Sequence, residues 1–261
     1  MTPRTNQFNL ERLREGLLPF RLHYFPRLNS TSDHAIVMRD QGRLFAPAVV
    51  LTSKQTRGRG RGQSQWHSPP GVLTATFCVS PSKTMPPQLV PLVAGLCVID
   101  AARAMGAIDL QLKWPNDCWR WTDGKPHKVA GVLCERRDNL DFIGIGLNVH
   151  LNGGDLSGRT RVAPAGLSDG VPPPDMTGVL LALSKAIQRR LLREDSPTVQ
   201  RVIQEFAQVD ALMGRRVCVT VGPGAVIEGT AGGIDSQGRL RITDAQGQLH
   251  RVVSGTVELT N

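Results

Sequence analysis

Residues 57–62 alternate three arginines with three glycines, in the order Arg-Gly-Arg-Gly-Arg-Gly. Glycine lets the backbone fold closely around a ligand. The guanidinium groups of Arg57, Arg59 and Arg61 are permanently positive, forked donors that suit carboxylates and phosphates. The pattern therefore predicts a loop that closes over an anion. A solvated basic loop and an RGG-like nucleic-acid tether have the same composition, and this segment alone does not decide between the three.

Two common glycine-rich phosphate sites are excluded by the residues around this loop. A Walker loop ends in Gly-Lys-Ser or Gly-Lys-Thr, and no lysine follows these glycines. A dinucleotide fingerprint that began at Gly58 and Gly60 would need a further glycine where Gln63 stands. A phosphate bound here would therefore occupy a different kind of nucleotide site.

A second polar cluster, Lys113-Trp114-Pro115-Asn116-Asp117, follows the strand-like residues 109–112. The proline ends the strand and imposes an extended or turn geometry on the tryptophan before it. Asn116 and Asp117 would then lie at a strand end, where binding and catalytic residues are common. Asn-Asp is also ordinary turn chemistry, so a purely structural turn remains an alternative.

Two further segments predict strands with features that a plain core strand would not need. Residues 128–135 are largely apolar but begin with Lys128, whose burial would be costly unless it meets an anion. Residues 142–149 contain Gly144 and Gly146, which indicate close approach by a ligand or a neighbouring strand.

The surrounding pattern predicts the elements that position these residues. The arginine–glycine loop bridges two predicted strands, residues 48–52 and 72–79, and its ends are therefore fixed. Strands are also predicted at 22–25 and around positions 110, 132 and 145, with helices at 88–105 and 175–193 and a surface loop at 153–174. Pro197 is predicted to open a further helix, with Ser196 as its N-cap.

The hydrophobic pattern of the sequence changes near residue 214. Five short β-rich runs at 217–221, 226–230, 240–243, 249–253 and 256–259 predict a small barrel. We therefore expect two domains, residues 1–211 and 212–261.

Taken together, five segments resemble the biotin–protein ligase family. They are residues 30–32 (STS), 55–71 (QTRGRGRGQSQWHSPPG), 113–117 (KWPND), 128–135 (KVAGVLCE) and 144–149 (GIGLNV). They occur in the family's order and with family-like spacing, and the resemblance spans roughly residues 22–259. Ser32 stands where the family usually has asparagine, and Gln63 and Ser64 stand where many members have glycine and arginine.

The resemblance implies an α+β fold: a mixed central sheet with packed helices, as in class II synthetase-like catalytic domains, followed by an SH3-like β-barrel. It implies ATP-dependent activation of biotin to biotinyl-5′-AMP and transfer to a lysine of a biotin carboxyl carrier protein. It also implies Mg²⁺ as the metal ion of the reaction, without saying which residues bind it. A lipoate or octanoate ligase or transferase of related fold is the alternative. The oligomeric state stays open, with a homodimer as one alternative.

The family motifs also imply roles for individual residues. Arg59, Arg61 and Lys128 would neutralise the reacting anions, and Asp117 would orient and deprotonate the acceptor amine. Biotin would contact those three basic residues and a set of polar and glycine residues. This set is Ser30, Thr31, Ser32, Gln55, Gly60 and Gly131. The nucleotide would contact Lys113, Asn116 and Asn148, with Arg61 and Trp66. For Trp66 a core role is the alternative.

Composition narrows the class of protein further. The net charge of +9 suits anionic partners without choosing among them. The five cysteines form no C-x-x-C pair and fit a reducing cytoplasm. The longest apolar run, residues 89–99, is too short to span a membrane and predicts a buried helix. A DNA-binding winged helix would need about 50–60 residues, and only 29 precede Ser30, so no DNA partner is expected.

Overall fold

The computed structural model describes residues 8–107, 109–151, 162–167, 174–193, 197–222 and 224–260. Its first elements are α1 (Leu10–Gly16), β1 (Arg21–Phe25), α2 (Thr31–Asp40), β2 (Ala48–Thr52), β3 (Gly58–Arg59), β4 (Gln65–Trp66), β5 (Val72–Val79) and α3 (Val90–Ala104). Next come β6 (Gln111–Lys113), β7 (Asp117–Thr122), β8 (Lys125–Arg137), β9 (Leu140–Asn148), α4 (Met176–Ile187) and α5 (Val199–Ala207). The last strands are β10 (Arg216–Val221), β11 (Ala225–Ile234), β12 (Leu240–Thr243), β13 (Leu249–Val252) and β14 (Thr256–Leu259).

The larger sheet has seven strands in the order β1-β2-β5-β9-β8-β7-β6. Strands β1 and β2 are parallel, and every other neighbouring pair is antiparallel, so the sheet is mixed as predicted. Strands β2, β5 and β9 are buried along their whole length. That burial on both faces explains why their sequences are nearly continuous apolar runs.

The two faces of this sheet are covered differently. On one face, Leu51, Phe77 and Ile145 belong to the large apolar cluster that also contains the buried residues of α3 and α4. On the other face, Val50 and Phe142 belong to a smaller cluster with buried residues of α2. Helix α2 therefore packs on one part of that second face, and the polar and glycine residues of the site occupy its remainder.

Helix α3 is the central helix predicted for residues 88–105. With the preceding 3₁₀ turn it forms the segment Pro87–Ala104, which is longer than its apolar run. It is the one helix in the described part of the chain that is long and apolar enough to cross a membrane. Since 67% of this segment is buried inside the protein, it has the surroundings of a core helix.

Two predictions for residues 153–207 are tested only in part by the described residues. The helix after Pro197 begins at Val199 and is capped by Thr198, whose side chain accepts a hydrogen bond from the amide of Arg201. The cap is therefore two residues later than predicted, and Ser196 itself lies outside the described residues. The predicted surface loop at 153–174 also lies largely outside them.

Strands β10–β14 form an antiparallel sheet in the order β13-β12-β11-β10-β14, with one strand for each of the five predicted β runs. Phe206 before residue 211 and Val217 after it lie in one continuous apolar cluster. The Trp114 indole also donates a hydrogen bond of 2.9 Å to the Gly238 carbonyl. The C-terminal sheet thus packs against the part of the molecule that carries the KWPND segment.

Candidate active site

One row of residues runs across the open face of the large sheet and forms the floor of the site. The register pairs Thr74 with Gly146, Gly146 with Gly131, Gly131 with Asp117, and Asp117 with Lys113. Paired residues on neighbouring strands point to the same face. The row therefore has a hydroxyl at one end, two positions without side chains in the middle, and a carboxylate and an ammonium at the other end.

A β-bulge brings Lys128 onto this same face. Cys118 pairs with Ala130 while Trp119 pairs with Lys128, so Val129 is the extra residue of the bulge. A bulge re-aims the side chains beside it, and a Cβ atom on Gly131 would lie 3.2 Å from the Lys128 Nζ. The Lys128 Nζ is 2.7 Å from the Asp117 Oδ1. The lysine predicted from the strand start and the aspartate predicted from the turn thus form an ion pair.

Three cations lie near the carboxylate of Asp117. Burial holds the pKa of the Lys113 ammonium below its ordinary value; Asp117 and Glu258 oppose that shift, and the charges of Lys128 and Arg61 add to it. Burial also lowers the pKa of Arg61, again opposed by Asp117. The local excess of positive charge favours an anion bound beside the glycine floor.

Trp66 covers the glycine floor. A Cβ atom on Gly146 would overlap the indole ring, and one on Gly131 would lie 3.2 Å from its Cζ3. The Lys128 Nζ is 5.7 Å from the centre of the ring, within the range of a cation–π interaction. The indole Nε1 is buried and has no hydrogen-bond partner among the described residues. The ring therefore packs directly on Gly146 and reaches Gly131, and its indole donor is left for a ligand.

A hydroxyl cluster at the start of α2 borders the floor. Gln55 Oε1 accepts hydrogen bonds from the Thr31 amide (2.8 Å) and the Thr31 hydroxyl (3.3 Å). The Thr76 hydroxyl lies 2.9 Å from that of Thr31 and 3.1 Å from that of Ser32. Ser30 is the N-cap of α2. Four predicted biotin residues therefore meet, together with Thr76, which the sequence analysis missed.

The arginine–glycine loop is a short hairpin rather than an open coil. Strands β3 and β4 pair Gly58 with Trp66, and the Gly60 amide donates to the Ser64 carbonyl at 2.7 Å. Arg59 forms ion pairs with two carboxylates, whereas the Arg61 guanidinium lies 3.4 Å from the Gly255 carbonyl of the C-terminal sheet. The two arginines predicted to act together therefore have different surroundings.

The predicted nucleotide residues lie in two places. Asn116 and Arg61 line a cavity of about 120 Å³ between the KWPND segment and the C-terminal sheet, where Trp114, Gly238 and Val253 also face it. Asn148 lies on the Lys128 side, where its Nδ2 donates 3.0 Å to the Lys128 carbonyl. The buried Asn148 Oδ1 has no hydrogen-bond partner within the described residues, so an acceptor is available there.

A larger, more open groove of about 370 Å³ lies along the first turns of α2, lined by Ser30, Asp33 and His34 among others. It contains none of the three cations around Asp117, so the chemistry favours the floor over this groove. Cys118 lies beside Asp117 in sequence but is buried, and burial raises the pKa of its thiol far above the ordinary value. It is not suited to act as a nucleophile.

Two family models match the chain, one for each part of the fold. Residues 24–152 match the biotin/lipoate A/B protein ligase family, and residues 212–260 match the biotin protein ligase C terminal domain. The first match contains the whole floor from Thr74 to Asn148 and the α2 hydroxyls. The second contains strands β10–β14.

Curated proteins with similar sequences are biotin–protein ligases. Biotin–protein ligase 1, chloroplastic, of Arabidopsis thaliana is 32% identical over 159 residues, covering 55% of this chain and 41% of its own length. Biotin–protein ligase 2 of the same organism is covered over 53% of its length, so the chain spans about half of these two relatives. The biotin–[acetyl-CoA-carboxylase] ligase of Mycobacterium tuberculosis is 27% identical, with 87% of this chain and 85% of that protein covered.

Solved structures with a similar fold include biotin protein ligases from two organisms. The biotin protein ligase of Aquifex aeolicus in complex with biotin and ATP superposes with a TM-score of 0.77 at 25% identity, covering 92% of this chain and 98% of that one. The Leishmania major biotin protein ligase in complex with biotinyl-5-AMP gives a TM-score of 0.61 at 25% identity, covering 90% and 99%.

Proposed function

The chain belongs to the biotin protein ligase family, and from that premise we propose that it activates biotin with ATP and transfers it to a lysine of a carrier protein. The observation that carries the proposal is the arrangement of Lys113, Lys128 and Arg61 around Asp117, beside a glycine floor covered by Trp66. Such a site can hold a flat, uncharged ring system against the indole and two anionic groups among the cations.

The first step joins two anions. A biotin carboxylate oxygen attacks the α-phosphorus of ATP, the bond from that phosphorus to the bridging oxygen breaks, and pyrophosphate leaves with the electron pair. Lys128 is the principal neutralising group, because its Nζ lies 2.7 Å from the Asp117 Oδ1 at the edge of the floor. Arg61, on the hairpin, adds positive charge near the same carboxylate. Preorganised positive charge of this kind stabilises the transition state.

Biotin would lie beside the Trp66 ring, which itself packs on Gly131 and Gly146. The hydroxyls of Ser30, Thr31 and Ser32, with Gln55 and the Gly60 region of the hairpin, provide polar contacts at one end of this floor. The chain has Ser32 in place of the usual asparagine, and its hydroxyl lies 3.1 Å from that of Thr76, so a ligand would meet two hydroxyls here. The carboxylate end of biotin would point towards Lys128.

The nucleotide would lie across Asn116, Asn148 and Lys113, with Arg61 at the C-terminal sheet. Mg²⁺ usually keeps several waters and takes only one or two protein oxygens beside substrate phosphates. Among the described residues no group of three or more His, Cys, Asp or Glu side chains could hold a metal. The unpartnered Asn148 Oδ1 fits an ion that arrives on the nucleotide. Such an ion would supply further neutralisation of the phosphates.

In the second step the acceptor amine attacks the carbonyl carbon of the mixed anhydride, and the bond to the AMP oxygen breaks. Asp117 would orient the incoming ammonium and take its proton, because its side chain is at the end of the floor and only 18% exposed. The acceptor would be a biotin carboxyl carrier protein in the cytoplasm, and the chain's net charge of +9 suits an acidic partner. Residues 1–211 would provide the chemistry and 212–261 the C-terminal wall.

Pyrophosphate release tests this function. Purified protein mixed with ATP, Mg²⁺ and biotin should release pyrophosphate, and should label a carrier domain on its acceptor lysine. Lipoate and octanoate, tested in parallel, should give little product, because the C-terminal match is to a biotin ligase domain. Activity with lipoate or octanoate and none with biotin would instead establish the alternative ligase or transferase.

A further inference from the structure

Arg59 is held by two carboxylates that come from different parts of the fold. Its Nε lies 2.7 Å from the Asp33 Oδ1 in the first turn of α2. Its Nη1 donates to the Glu135 Oε1 at 3.2 Å, and its Nη2 pairs with the Glu135 Oε2 in β8. The guanidinium thus joins the hairpin to a helix on one side and to the sheet on the other.

We infer that Asp33 and Glu135 are positioning residues, which bind Arg59 and hold the β3–β4 hairpin down over the glycine floor. By doing so they would determine how long the adenylate is retained between the two reaction steps. This inference rests on the proposed function only for the identity of the retained compound; the contact between hairpin, α2 and β8 does not depend on it.

The register of the hairpin explains how this contact reaches the ligand site. Arg59 pairs with Gln65, and the adjacent Gly58 pairs with Trp66. Because Arg59 and Trp66 lie on neighbouring positions of a two-stranded ribbon, movement of the guanidinium away from its carboxylates would lift the indole from Gly146.

The other attachments of the hairpin lie at its two ends. Its base is joined to the segment before α2 through the amides of Thr56 and Arg57, which donate to the carbonyls of Leu28 and Asn29. Towards its tip, the Arg61 guanidinium reaches the Gly255 carbonyl at 3.4 Å, a long hydrogen bond. Between these ends, the Trp66 ring packs on Gly146 and the two carboxylates bind Arg59, so Arg59 makes the charged attachment of the middle of the hairpin.

The two carboxylates should contribute unequally. Glu135 binds Arg59 through both oxygens and its side chain is 22% exposed, whereas Asp33 makes one contact and is 51% exposed. Forked carboxylate–guanidinium pairs are the stronger ones, and exposed single pairs contribute little. The equilibrium constant for opening of the hairpin should therefore rise about 5-fold in Glu135→Gln and about 2-fold in Asp33→Asn.

Limited trypsin digestion without ligand measures this opening directly. Trypsin cleaves after arginine, and these two variants leave Arg57, Arg59 and Arg61 intact as cleavage sites. The rate of cleavage within residues 57–61, followed by mass spectrometry, should rise in the order Asp33→Asn, then Glu135→Gln. Asp40→Asn is the matched control, because Asp40 lies in the same helix but pairs with Arg39. Cleavage of both test variants at the control rate would overturn the inference.

Adenylate retention supplies the second readout. Release of labelled biotinyl-AMP should accelerate about 5-fold in Glu135→Gln, with the single-turnover rate of adenylate formation little changed. Tighter biotin binding by Glu135→Gln would contradict the inference, since it would mean that Glu135 competes with biotin for Arg59. If Glu135→Gln fails to fold, as judged by its melting temperature, the cleavage and release rates of Asp33→Asn, which changes an exposed residue, test the inference instead. If the wild type forms no adenylate, the proposed function fails while the trypsin comparison still tests the positioning role.

Discussion

The Lys128 Nζ lies 2.7 Å from the Asp117 Oδ1, and the bulge at Val129 is what places the two side chains on one face of the sheet. Without the extra residue, Lys128 would lie in the register position that faces the opposite side from Gly131. The pair lies at the edge of the glycine floor, beside the Trp66 ring. One irregularity in one strand thus brings together a cation for the first reaction step and a carboxylate for the second.

Gly146→Ala should weaken biotin binding about 5-fold or more. A methyl group at this position would overlap the Trp66 indole, and overpacking of this kind costs ~1–3 kcal/mol. Isothermal titration with biotin measures the effect, and tryptophan fluorescence should shift as the indole is displaced. Gly232→Ala is the matched control, since a Cβ there would lie 3.9 Å from its nearest neighbour. Equal affinities of the two variants would argue against a ligand bound beside the indole that Gly146 supports.

Lys128→Ala and Arg61→Ala should impair different steps. The lysine is fixed by the strand and by Asp117, so its loss should slow single-turnover adenylation by about 100-fold while biotin affinity changes little. The arginine closes the hairpin against the C-terminal sheet, so its loss should mainly speed adenylate release. Lys125→Ala, an exposed residue of the same strand, is the control. A near-normal adenylation rate in Lys128→Ala would rule out its assigned role.

Sequence patterns predicted most elements that carry the site. Strands β2 and β5 have the predicted bounds, because a buried strand is a continuous apolar run with a recognisable end. Thr76 could have been found from the same pattern, since it alternates with Thr74 on one face of an otherwise apolar strand.

The contacts between distant segments could not be predicted in this way. The partners of Arg59 are 26 and 76 positions away in the chain, and their pairing depends on how α2 and β8 pack around the hairpin. The bulge at Val129 leaves no mark on the apolar pattern of β8, because Val129, Ala130 and Val132 are all buried. Burial of Lys113 likewise follows from its tertiary surroundings.

Asp210 predicts a pH dependence of stability. Burial raises the pKa of this carboxyl from 3.8 to about 6, against hydrogen bonds from the amides of Leu212 and Met213. The folded protein then holds a proton that the unfolded chain has released, so this residue makes the free energy of unfolding fall as pH rises from about 4 to about 6. The loss should be ~1–3 kcal/mol and constant above that range.

Urea unfolding of Asp210→Asn at pH 4.5 and pH 8 tests this dependence. The free energy of unfolding of the variant minus that of the wild type should be larger at pH 8 than at pH 4.5, because the asparagine does not ionise. Its Oδ1 can still accept the Leu212 amide, which donates to the native Asp210 Oδ1 at 2.8 Å. The same substitution at the exposed Asp40 should leave the pH dependence unchanged. A variant whose stability relative to wild type is the same at both pH values would disprove the assignment.

Asp117→Asn should separate the two half-reactions. The amide keeps the size of the carboxylate and an oxygen near the Lys128 Nζ, so the fold and the neutralising cations are retained. Adenylate formation needs positive charge near two anions, and removal of a carboxylate does not reduce that charge. Transfer needs an unprotonated amine beside the anhydride carbonyl, and an amide cannot accept its proton. Biotinyl-AMP should therefore form at a rate near that of wild type, while transfer falls by about 100-fold or more.

Preformed biotinyl-AMP distinguishes this role from a role in nucleotide or metal binding, because it bypasses the first step. With a carrier domain as acceptor, Asp117→Asn should be slow even from the preformed compound, and its rate should recover as pH rises and more of the acceptor amine is deprotonated. Asp109→Asn, which removes an exposed carboxylate paired with Arg120 at 2.8 Å, should transfer normally. If Asp117→Asn transfers normally from preformed adenylate but cannot synthesise it, the carboxylate serves the nucleotide or its ion, and another group must accept the proton.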